Sequence, residues 1–98
     1  MSKPRVVHFV GDLPGLGEEL IHKLVCSNVV CSIAQEWYNP IITNIATELE
    51  IFNATPLLYD SNNINSNDVL LYFVLNDAKL DLVQISNFSC NVILLVSE

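Results

Sequence analysis

The sequence predicts an α/β domain, a small, doubly wound and mostly parallel sheet of about five strands in the Rossmann-like manner. Three observations predict it. Short apolar runs rich in β-branched residues alternate with segments whose apolar residues recur at helical spacing, in the order βαβαβ, loop, βαβ. The strand-like runs are continuously apolar rather than alternating, which marks strands covered on both faces and therefore parallel. Finally, 98 residues with 51% hydrophobic and 15% charged content hold enough material for one core, so residues 1–98 form a single domain.

Each element follows from its residues. Arg5–Val10 is a β-branched apolar run that breaks at Gly11-Asp12. Glu18–Val25 carries Leu20, Ile21 and Leu24 at helical spacing, and Asn28 stops it. Val29–Ala34 is a second strand. Pro40 then opens a segment with Ile41, Ile42, Ile45, Ala46 and Leu49 at i, i+3/i+4 intervals, a helix with proline in its first turn. Thr55-Pro56 interrupts, and Leu57–Tyr59 is a short strand closing at Asp60. SNNINSN, residues 61–67, reads as a surface loop, too polar to be a buried helix. Asp68–Leu75 is a strongly apolar strand, Lys79–Phe88 a weaker helix, and Val92–Val96 the last strand. Right-handed crossovers are expected to place helices on both faces.

Composition excludes several function classes. The net charge is −7, and the four basic residues, Lys3, Arg5, Lys23 and Lys79, are scattered. Nucleic acid requires clustered positive charge to displace counterions, and an anionic membrane surface requires the same. No apolar run reaches the roughly 18–20 residues needed to span a bilayer, and no secretory leader is visible, so a cytoplasmic location is expected. Cys26, Cys31 and Cys90 have no CxxC spacing and read as reduced, largely buried thiols. His8 reads as an inward or edge residue of the first strand and His22 as a helix-surface residue; no metal set is expected. Glu18-Glu19 suits the positive end of the first helix. Trp37-Tyr38 is either a lid on the core or a partner contact.

The most informative stretch is G11-D-L-P-G15-L-G17, which holds all three glycines of the protein. A turn from a first strand into a first helix presents free backbone N–H groups at a positive helix end, and glycines let a pyrophosphate approach without meeting a Cβ. The plain alternative is an ordinary tight βα turn. PGLGEEL is not a P-loop, because Glu18 stands where the phosphate-binding lysine belongs and no Ser or Thr follows.

The spacing Gly-x-x-x-Gly-x-Gly, with Leu16 as the apolar residue inside it, resembles the nucleotide-binding turn of short-chain dehydrogenases/reductases. The resemblance implies a Rossmann-type domain with NAD as cofactor. It places Gly11, Gly15, Leu16 and Gly17 at the pyrophosphate, Glu36 at the adenosine ribose and Asp60 near the adenine. DVLLYFVLNDAK is similar to the family's fourth strand and the NNAG that follows, with Asn76 and Ala78 retained, which adds Asn76 to the cofactor set. Ser97, after VILLV, stands where the family carries its catalytic serine.

The departures concern catalysis. The family's chemistry needs a tyrosine with a lysine four positions on, and Tyr38, Tyr59 and Tyr72 are followed there by Ile42, Asn63 and Asn76. The chain is also far shorter than a complete reductase. The expectation is a non-catalytic module retaining an NAD site, with an interaction or assembly domain that binds no nucleotide as the alternative. An active dehydrogenase would need a partner chain to supply Tyr and Lys. Acids after strands one and three, Asp12 and Asp60, also invite comparison with response-regulator receivers, but the required lysine after strand five is missing. Ending directly after an apolar strand, the chain is expected to pair through it with a second copy or a larger protein.

Overall fold

A computed structural model describes residues 6–13, 15–75 and 89–97. Its elements are β1 (Val7–Gly11), α1 (Leu16–Cys26), β2 (Cys31–Ile33), α2 (Gln35–Asn44), α3 (Ala46–Phe52), β3 (Leu57–Leu58), β4 (Val69–Leu75) and β5 (Asn91–Ser97), with a 3-10 turn at Ser61–Asn63. The five strands form one sheet in the order β3-β2-β1-β4-β5, and every pairing is parallel. The fold class predicted from the continuous apolar runs is the one observed. The helix expected over Lys79–Phe88, and Asn76, lie outside the described residues.

The register sorts side chains onto two faces. Val7, Phe9, Cys31, Ile33, Leu71 and Phe73 form a buried core with Ile21 and Val25 of α1 and with Ile41 and Ile45 around α2. Phe9 and Phe73 stack there with ring centroids 6.0 Å apart. Helices α1 and α2 thus cover one face of the sheet, and their apolar spacing exists to meet it. His8, paired across the sheet with Ser32 and Leu70, has the opposite parity and points to the other face. Over part of that second face, beside His8 and Ser32, runs the polar 60–65 segment.

Two expected elements change. The helix expected to open at Pro40 begins at Gln35, so Pro40 lies inside α2. Its missing N–H removes one helical bond. The turn before it is held from outside, Trp37 Nε1 donating to the Gly11 carbonyl (2.9 Å) and Tyr38 Oη to that of Pro56 (2.8 Å). The helix then breaks at Ile45 and resumes as α3, which ends on Asn53 in a left-handed conformation (φ 48°). Glu36 consequently sits in the first turn of a helix rather than in a loop.

β5 is the edge strand beyond β4, and Ile93, Leu94 and Val96 along it are 48%, 39% and 60% exposed. Among the described residues no helix is long and apolar enough to cross a membrane. Cys31 is buried, Cys26 and Cys90 are half-buried, and all three are free thiols.

Candidate functional site

Strand order reverses between β1 and β4, the strands that leave β1 on either side being β2 and β4. In open α/β sheets ligands bind beyond the carboxyl ends of the strands at that point. The glycine turn stands there, between β1 and α1.

The three glycines do different work. Gly11 (φ +91°) closes β1 directly against β4: a Cβ on it would lie 2.1 Å from the Phe73 carbonyl oxygen. That same oxygen accepts the Asp12 N–H at 3.0 Å, so the chain leaves the strand while still bonded to its neighbour. Gly15 (φ +79°) is the N-cap of α1, and a Cβ there would meet nothing within 4 Å. No side chain caps α1, so the N–H groups of its first turn have no side-chain acceptor beside the open Gly15. Gly17 is buried, its Cβ position 3.0 Å from Leu13 Cβ and 3.7 Å from Phe73, which lets α1 lie close on the sheet.

Around this turn the expected residues are distributed unevenly. Leu16, half exposed, begins α1. Glu36 is exposed in the first turn of α2, and the bond from the adjoining Trp37 to Gly11 brings that turn against the glycine loop. Trp37 is therefore a lid residue packed on the core. Asp60 stands elsewhere: its carboxylate accepts from the Asn62 N–H (2.9 Å) and Asn63 Nδ2 (3.3 Å), capping the 3-10 turn beside a cavity on the second face of the sheet. Asp12 is exposed, and Glu18 and Glu19 occupy the first turn of α1. A further hollow of about 380 Å³ starts at Gly15 and runs past Glu18, Glu19, His22 and Glu48, where His22 and Glu48 approach to 3.3 Å. Its carboxylates make that side unsuited to phosphate.

The second face holds a centre that sequence reasoning did not assemble. His8, Ser32 and Asp68 are 3%, 3% and 1% exposed. His8 Nδ1 lies 2.6 Å from Ser32 Oγ, and His8 Nε2 lies 2.8 Å from Asp68 Oδ2. Asp68 Oδ2 also accepts the Asn65 N–H at 2.9 Å. Tyr59 meets the imidazole edge-on, centroids 5.8 Å apart, and burial raises its phenol pKa, with Cys90 and Asp60 adding to the shift. Val6, His8, Ser32, Leu57 and Leu58 line a cavity of about 530 Å³ together with residues 62–65 and Asp60. The available signal was a histidine facing inward from an apolar strand, since a buried imidazole needs two polar partners. Among the described residues no three His, Cys, Asp or Glu side chains converge as a metal site.

No family model matches the chain, and no curated protein or solved structure matches it either.

Proposed function

We propose that the chain is a Rossmann-like module that holds an adenine dinucleotide, NAD in preference to NADP, at the turn from Gly11 to Gly17, and that it carries out no hydride transfer. One observation carries this reading: at the reversal of strand order, one glycine makes the tight turn, a second leaves open space at the helix start, and a third permits close helix packing. Those are the three tasks a dinucleotide turn requires. The pyrophosphate would meet the uncapped N–H groups of Leu16 and Gly17. Glu36 would receive ribose hydroxyls. A 2′-phosphate would face Glu36 with no guanidinium to receive it. Calorimetric titration with NAD, NADP and ADP tests the reading. NAD should bind, NADP more weakly, and Gly15→Val should abolish the heat. Tighter binding of NADP, or no heat with any of the three, overturns it.

A second reading, assembly through β5, rests on its place at the sheet edge. Seven residues of open backbone flanked by exposed Ile93, Leu94 and Val96 invite a further strand. Light scattering on the eluting peak of a sizing column tests it: a dimer or larger species is expected, and a monomer at high micromolar concentration refutes it.

A further inference from the structure

The second face supplies the parts of a nucleophilic centre, independently of the glycine turn. A carboxylate only accepts hydrogen bonds, so Asp68 requires the proton of His8 on Nε2. In the neutral imidazole Nδ1 is then a bare lone pair, and the Ser32 hydroxyl donates to it across 2.6 Å. Serine, base and orienting acid are thereby joined in the order that activates a hydroxyl, with the acid fixed in turn by the Asn65 N–H. Ser32 and His8 both line the cavity, which is the side from which a substrate would approach the hydroxyl.

We propose that Ser32 is an acyl-accepting nucleophile, with His8 as general base and Asp68 as its positioning residue, acting on short, uncharged carboxylic esters. Ser32 Oγ attacks the ester carbonyl while its proton passes to His8 Nδ1. The C–O bond to the alcohol then breaks, and His8 returns the proton to the departing alkoxide. Water repeats the sequence on the acyl-serine, releasing the acid and restoring Ser32. The cavity selects the substrate class. Val6, Leu57, Leu58 and Ile64 suit a short alkyl chain, and the Asn62 and Asn65 carboxamides on the rim can donate to a carbonyl oxygen. Asn65 Oδ1 is already taken by the Asn67 N–H, so its amino end is what remains. Asp60 on the same rim, and the net charge of −7, oppose anionic esters.

The test is covalent capture of the whole chain by a fluorophosphonate probe, in which Ser32 Oγ bonds to phosphorus and fluoride leaves. Intact mass and peptide mapping should give one adduct, on Ser32, lost in Ser32→Ala and in chain unfolded with urea. Asp68→Asn should slow labelling at least about 100-fold, the scale of general-base assistance, with helix content checked by circular dichroism. His8→Asn, with a similar volume, provides the same comparison should Asp68→Asn unfold. The folded wild-type chain should also release p-nitrophenol from p-nitrophenyl butyrate faster than Ser32→Ala does. Absence of a Ser32 adduct on the folded wild-type chain overturns the proposal, as does labelling that is equally fast after unfolding or in a folded Asp68→Asn or His8→Asn chain.

Discussion

Gly11→Ala should be among the most damaging single-methyl changes this chain can receive. Two terms add. At φ +91° an L-residue is strained by about 1–3 kcal/mol. The new Cβ would also stand 2.1 Å from the Phe73 carbonyl oxygen, where contacts under 3.0 Å essentially never occur. That oxygen belongs to backbone in the adjoining strand and cannot swing aside, so β1 and β4 must part near their ends. The Asp12 N–H to Phe73 bond, 3.0 Å long, goes with them, at about 0.5–1.5 kcal/mol for each bond lost. With that bond lost the total is about 1.5–4.5 kcal/mol, a large share of the 5–15 kcal/mol that stabilises an ordinary domain. Urea unfolding followed by circular dichroism reads it as a fall in midpoint of about 1–2 M, taking a slope of about 2 kcal/mol/M. Gly15→Ala is the control, since φ +79° imposes strain there too while its Cβ meets open space. It should lose only the strain term. Equal losses at the two positions would refute the wedge argument, and a loss below about 1 kcal/mol at Gly11 would refute the geometry.

Asp12→Asn should tighten any dinucleotide several-fold without changing fold stability, because an exposed carboxylate inside the turn opposes phosphate by charge; calorimetry against NAD reads this, and unchanged affinity counts against it. Burial pushes the Cys31 thiol from 9.0 up to about 12, so its contribution to stability is full below pH 9 and drains as pH rises toward 12, by about 1.4 kcal/mol per pH unit. Urea midpoints between pH 8 and pH 11 should therefore fall less steeply in Cys31→Ala than in the wild type, and parallel slopes would contradict the assignment. In native chain Cys31 should be the last of Cys26 and Cys31 to react with a thiol reagent, Cys26 being the more exposed.

The architecture was legible because its signal is local. VVHFV, VVCSI and VLLYFVL declare buried parallel strands by being apolar at every position but His8 and Ser32, and the glycine turn declares itself by composition. Pro40 misled for a physical reason. Proline suits a first turn, yet Trp37 and Tyr38 reach backbone carbonyls 26 and 18 residues away and pull the helix start forward to Gln35. Those bonds are tertiary and leave no mark in the segment itself. The Ser32, His8 and Asp68 centre was hidden likewise, since its links span 24 and 60 residues. The Asn-rich 61–67 segment reads as a solvated loop, and it is exposed for the most part. Composition could not tell that residues 62–65 also wall a cavity floored by a histidine and a serine.

We propose that a dinucleotide meets the backbone where β1 passes into α1. Amide chemical shifts recorded during titration of the isotopically labelled chain with NAD test it most directly, because they report each N–H separately. Saturable shifts are expected, concentrated at Gly15, Leu16, Gly17 and Glu18, with the Trp37 indole N–H moving through its bond to Gly11 and the amides of β3 unaffected. Shifts that leave Leu16 and Gly17 untouched, or that cluster at Ser32 and Asn62 instead, would contradict it.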